Sequence, residues 1–259
     1  MRPATTNPIG AIRLSSGLKR EGIGMRRGRM ALAMAGVLSL MIGLAGTSSI
    51  AAQDTAESYH ATLTAVNAGT GGSDAHGTVD ITIEGDNLTI KTTVEGVSPD
   101  MMHMQHIHGF TEGTDRAQCP TAAADTNGDG IVDLKETEPL AGVTLIPFND
   151  DPVSLDITNA TYPTANADGS FTYEKTVSLK ALEASFEKAY PGQQLNLDQR
   201  VVFVHGVPDD TKLPDTVASL PDVPAQMTLP IACGQLEKGG EAATPVTSPV
   251  ASPAATPAS

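Results

Sequence analysis

The sequence predicts an all-β domain, an antiparallel sandwich or Greek-key barrel, and three observations carry that prediction. Short runs of alternating apolar and polar residues recur over residues 59–235, Gly, Asp and Asn turns separate them, and a single helix signal interrupts the series. In "GTVDITIEG", Val79, Ile81 and Ile83 share one face while Thr78, Asp80, Thr82 and Glu84 share the other. After Gly85-Asp86, "NLTIKTTVEG" sets Leu88, Ile90 and Val94 in the same phase, which is a hairpin pattern. Further strands are expected at "YHATLTAV", "MQHIHGF", "GVTLIPF", "VSLDIT", "SFTYEKTV", "RVVFVHG" and "LPIACGQ". The one short helix is "LKALEASFEKAY": Ser178 caps it, Leu179, Leu182 and Phe186 share a face, and Pro191-Gly192 stops it.

The ends of the chain differ from this core. Residues 1–29 carry seven basic groups and one acid, an uncharged run covers 30–45, and "SSIAAQ" offers small residues at a cleavage point. An export signal over 1–52 follows, with "MRRGRMAL" also compatible with a twin-arginine route. The apolar run of about 16 residues is short for a membrane span. From Glu241 onward "EAATPVTSPVASPAATPAS" has no residue able to build a core and reads as a disordered, extended tail. One domain over 53–240 remains, in a protein expected outside the cell, in a periplasm or on a cell wall.

Charge excludes some partners. Of 16 basic and 30 acidic groups the leader takes seven and one, leaving nine against 29, a formal charge of -20. Nucleic acid and anionic membranes are therefore excluded as natural partners. Two cysteines, Cys119 and Cys233, lie in the core. After export the simplest state is one disulfide; the alternative is a pair of thiolate metal ligands, which no CxxC partner supports.

"MMHMQHIHGF" places three histidines and three methionines in ten residues. On a strand His106 and His108 point to one face, with Gln105 and Ile107 on the other; Met102 and Met104 are in phase with the histidines. In "RVVFVHG", His205 shares its side of the pleat with Val201 and Phe203. "DTNGDGIVDLKE" is a twelve-residue calcium-loop pattern, with Asp125, Asn127, Asp129, the Ile131 carbonyl, Asp133 and Glu136 at positions 1, 3, 5, 7, 9 and 12 and Gly130 at the turn. Thr121 to Ala124 is too short for an entering helix and Pro139 is expected to cut the exiting one, so the loop reads as a structural Ca²⁺ clip rather than a sensor.

"HMQHIHGF", "RVVFVHGVPDD" and "LPIACGQL", in that order after the "GTVDITIEGDNLTIKTTVEGV" hairpin, resemble the copper/zinc superoxide dismutase superfamily over most of His60 to Leu236. The resemblance implies an eight-stranded Greek-key barrel with the calcium loop as an insertion. It makes His106, His108 and His205 copper ligands and the catalytic centre, His103 the non-ligand histidine, and Asp209 the aspartate behind the ligands. It implies a disulfide between Cys119 and Cys233. Superoxide would reduce Cu(II) and in turn be reduced by Cu(I).

The departures are specific. Residues 120–199 contain no histidine, so the bridging imidazole and the zinc ligands are missing and zinc is not expected. Pro230 stands three residues before the second cysteine, where the family carries a guiding arginine, leaving Arg116 or Lys212 to attract the anion. Three functions compete: a copper-dependent superoxide dismutase-like enzyme, an extracellular copper carrier or sequestering protein using the mixed Met/His face, and a secreted binding module similar to chordin-type (CHRD) domains. The partners are accordingly superoxide or copper ions.

Overall fold

Residues 56–239 are described in the computed structural model of the chain; the leader expected over 1–52 and the tail expected over 241–259 lie outside them. The alternating runs become β1 (Glu57–Ala65), β2 (His76–Glu84), β3 (Asn87–Glu95), β4 (Gln105–Gly109), β5 (Val143–Pro147), β6 (Phe171–Ser178), β7 (Val201–His205) and β8 (Pro230–Gln235). A two-residue β9 (Glu237–Lys238) adds to β1. Every pairing is antiparallel, in the order β5-β4-β7-β8-β1-β2-β3-β6. Crossings from β3 to β4 and from β6 to β7 put β6 beside β3 and β7 beside β4, the non-sequential neighbours of a Greek key. The sheet curls about β1, which pairs with β2 from Glu57 to Leu63 and with β8 at Thr64 and Ala65.

The β2–β3 hairpin closes with Glu84 opposite Asn87 across Gly85-Asp86, where Gly85 takes φ 59°. Its tip is tied to the helix α2 (Leu179–Ala189): the Asp86 carboxylate accepts from Ser178 Oγ at 2.8 Å and Lys180 N at 2.9 Å. Ser178 caps α2 through Ala181 N, and Leu182 and Phe186 are buried, with Leu179 packed at the core's edge.

Two segments depart from expectation. "VSLDIT" forms a 3₁₀ turn over Pro152–Ser154 rather than a strand, with Leu155 at φ 57°. Fully buried Asn149 organises it, accepting from Asp151 N and donating to the carbonyls of Asp156 and Asn159, so side-chain bonds replace a ladder. Pro139 does not cut the second helix: α1 (Leu134–Ala141) contains it. A capping box compensates, with Asp133 accepting from Lys135 N and Glu136 N while Glu136 accepts from Asp133 N.

The inner faces hold Val79, Ile81, Leu88, Ile90, Ile107, Val202 and Val204. On the outer face of β7 and β8, Val201, Phe203 and Cys233 form a second buried layer with Val66, Ala117, Val132 and Ala141. Cys119 and Cys233 are joined, Cα atoms 5.7 Å apart, so the disulfide staples this covering loop to β8. Among the described residues no helix is long and apolar enough to cross a membrane.

Candidate metal centre

β4 and β7 run antiparallel with His106 opposite Phe203 and His108 opposite Val201. His205 ends β7, its N–H donating to Met104 O at 2.8 Å. The ladder shifts register between Ile107 and His108 on the β5 side and between Val204 and His205 on the β8 side. Such bulges re-aim side chains, and these two sit at the histidines. The sequence places the histidines on the face opposite Ile107, and there they are; that face is not solvent but the second buried layer. His106, His108 and His205 are 5%, 2% and 3% exposed.

The three rings converge. Their centroids are 5.3 to 5.9 Å apart, and one nitrogen from each lies within 4.8 Å of the others. Phe203 forms the floor, 4.8 Å from the His108 ring and 5.7 Å from His205. Among the described residues this is the group of three His, Cys, Asp or Glu side chains placed to share a metal ion.

Hydrogen bonds set the proton positions. Tyr162 OH donates to Ile157 O at 3.0 Å, so its oxygen accepts from His106 Nε2–H at 2.9 Å and leaves the lone pair on Nδ1. His205 Nδ1–H donates to Thr228 O at 2.8 Å, leaving the lone pair on Nε2. Thr144 Oγ1 lies 3.2 Å from His108 Nε2. His106 Nδ1, His108 Nδ1 and His205 Nε2 are buried without any hydrogen-bond partner. Burial, then the neighbouring imidazoles, holds His106 well below the usual histidine value. Burial, then His205, takes His108 to about 3, and burial takes His205 to about 4 against the pull of the Thr228 carbonyl. The rings are neutral at ordinary pH, the protonation state that binds metal. Three neutral imidazoles with unpaired buried nitrogens fit a borderline transition-metal ion.

The remaining sequence-predicted residues divide. His103 is fully buried beside the cluster, Nδ1 3.1 Å from His205 O and Nε2 2.8 Å from Ser98 O, with its ring stacked on Phe171. Asp209 is exposed and makes no hydrogen bond to the histidines; Tyr162 and the Thr228 carbonyl hold them instead. Met102 and Met104 line a cavity of about 240 Å³ beside His106 and His205, and Met227, which sequence spacing did not single out, joins them. Arg116 bonds Leu236 O elsewhere, and no Lys or Arg lines the cavity.

Carboxylates of the calcium-loop pattern are engaged locally. Asp125 accepts from Gly128, Asp129 and Gly130 N–H, Asn127 from Asp129 N, Asp129 from Ile131 N and Thr216 Oγ1, and Glu136 from Thr126 N and Asn127 N. Asp133, besides capping α1, accepts from Ala218 N, and no three loop carboxylates draw within 4.8 Å of one another. Asn67 braces the loop through Val132, donating to its carbonyl and accepting from its N–H.

No family model matches the chain, and no curated protein matches it. Among solved structures it is similar to a single-substitution mutant of an SOD-like protein from Bacillus subtilis, at 16% identity over 69% of this chain and 97% of that one, TM-score 0.35. A double mutant of an SOD-like protein from the same organism is similar at 17% identity over 68% and 94%, TM-score 0.34. Likeness at these values assigns no function, and the Greek-key description rests on the strand order itself.

Proposed function

We propose that the protein binds copper at His106, His108 and His205 and acts as a superoxide dismutase-like protein. One observation carries the proposal: each ring keeps a buried nitrogen without a partner, and the three rings face one another. An unsatisfied buried polar atom costs about 1–3 kcal/mol, and three such atoms on three converging rings are what a bound cation would relieve. Imidazole ligands accept both oxidation states of copper. Copper held there supplies the one-electron chemistry that converts superoxide to O₂ and H₂O₂. The chain's part is to keep the rings neutral, to fix proton positions through Tyr162 and Thr228, and to hold the geometry on two strands.

A second reading, copper held without turnover, is favoured by the cavity wall. Its one charged residue is Asp222, and a domain rich in acid does not steer an anion inward. The loop from Asp125 to Glu136 is proposed as a structural Ca²⁺ clip on the strength of its spacing; a carboxylate offers about four lone-pair sites, so backbone bonds leave room for a cation. Export is proposed from the leader pattern, with the disulfide in keeping.

The test is stopped-flow decay of superoxide by the full chain loaded with copper and calcium, normalised to bound copper, beside His205→Ala. Acceleration lost in the variant supports the enzyme. Background decay with one copper per chain supports the holding protein. Background decay with no bound copper sinks both and leaves a binding module of the chordin type.

A further inference from the structure

The chain has nine methionines, five of them before residue 56. The described domain holds four, Met101, Met102, Met104 and Met227, and all lie at the histidine cluster. Three line the cavity of about 240 Å³ that His106 and His205 also wall. The methyl of Met101 lies 3.5 Å from where a Cβ on Gly206, the residue after His205, would sit. None of the four is fully buried. Methionines used only as core filler would be spread among the inner faces; these are gathered, partly exposed, between solvent and two buried imidazoles.

The rest of the wall narrows the ligand. Leu134, Ile157, Leu220 and Val223 make it apolar, and Asp222 gives the rim a negative charge. A hydrated divalent ion or a free anion finds little there to replace its water. Thioether sulfur is a soft, polarisable donor that selects monovalent copper, and its unbranched chain adapts to an ion in transit.

We propose that this cavity is a thioether site for a soft monovalent cation, Cu(I), formed by Met102, Met104 and Met227 at the threshold of the three histidines. It extends the copper reading by naming the oxidation state that the cavity receives. No electron transfer is involved, only exchange of water or a donor's ligands for thioether sulfur.

The test uses Ag(I), a redox-inert monovalent probe, on the metal-free full chain labelled with ¹³C at the methionine methyls, beside the triple variant Met102→Leu, Met104→Leu, Met227→Leu. Leucine conserves volume, and the methyl spectrum of Met101 and the melting curve check the fold. Ag(I) is expected to shift the methyl resonances of Met102, Met104 and Met227, and the triple variant to lose on the order of tenfold or more in Ag(I) affinity. A parallel Co(II) titration, read by its visible spectrum, reports on the histidines and is expected to be the same in both proteins. Unmoved methionine methyls at saturating Ag(I), or equal Ag(I) affinity in the variant, overturns the proposal while an intact Co(II) spectrum keeps the histidine centre. Ag(I) shifts with no Co(II) spectrum uphold the thioether site and overturn the histidine centre. Methyl shifts with benzene but not with Ag(I) assign the cavity to an apolar molecule and also overturn it.

Discussion

Replacing Tyr162 by Phe removes one oxygen and leaves the ring in place. That oxygen has two bonds, accepting from His106 Nε2–H at 2.9 Å and donating to Ile157 O at 3.0 Å, in a side chain 5% exposed. Burial and the nearby Asp156 carboxylate push the phenol above its usual value, so it keeps its proton and its donor role. In Tyr162→Phe, a buried N–H and a partly buried carbonyl lose their partners, at about 1–3 kcal/mol for the first and less for the second, which water can reach, for a total of roughly 2–4 kcal/mol. For a domain of this size about 1 kcal/mol moves Tm by roughly 2–4 °C, so a fall of about 4–16 °C is expected in a calorimetric scan of the metal-free protein. The His106 ring can also move its proton to Nδ1, which occupies the lone pair that is otherwise unpartnered. Co(II) or Cu(II) affinity, measured by competition with a chelator, is therefore expected to drop by about 10- to 100-fold. A Tm change under about 2 °C together with wild-type affinity would refute the assignment of the proton position to this hydroxyl.

Replacing Cys119 and Cys233 by Ser is expected to cost on the order of 4–5 kcal/mol, from a closure across 114 residues, and urea titration measures it. The metal-free protein is expected to lose stability as pH falls from about 6.5 through 4. The folded values of His205 (about 4) and His108 (about 3) lie below the unfolded one, so over that window these two groups take up protons mainly in the unfolded chain; His205 alone contributes a loss on the order of 3 kcal/mol by pH 4, readable as a falling Tm. Ca²⁺ at a hundred times its dissociation constant is expected to add about 2.7 kcal/mol and Asp125→Asn with Glu136→Gln to abolish the gain; a Tm rise of less than about one degree speaks against the clip.

What the sequence disclosed was local. Alternation of period two gave the strands, because a half-buried strand must alternate, and Ser178 announced the helix it caps. The same periodicity put His106 and His108 on one face and His205 on the face of Phe203; grouping three residues spread over nearly a hundred positions was implied only by the resemblance of the two histidine motifs, taken together, to a known superfamily. It could not show that the face is roofed. Tyr162 comes from an irregular segment, and Met227 and Thr228 from a four-residue helix, Ala225–Thr228, too short to show a period; their contacts with the histidines span many residues. Asp209 drew attention by its place in a motif, yet the turn carries its carboxylate into solvent. Asp133 and Glu136 carry two messages in one spacing: positions 9 and 12 of a cation loop are also a D-x-x-E capping box, and the second message overrides Pro139.

Two strands end the described sheet path, β5 and β6, and the stretch joining them, residues 148–170, also lays Ile157 and Tyr162 over the histidines. It joins the sheet only through an isolated antiparallel bridge between Met102 and Thr164, so changes elsewhere along it need not shift the register of any strand. Apart from Tyr162, whose hydroxyl orients His106, the roof is thus separable from the ligand-bearing strands: what a bound ion meets can be exchanged while what grips it is kept. A graft confined to this stretch is accordingly the economical route to new chemistry on the same scaffold.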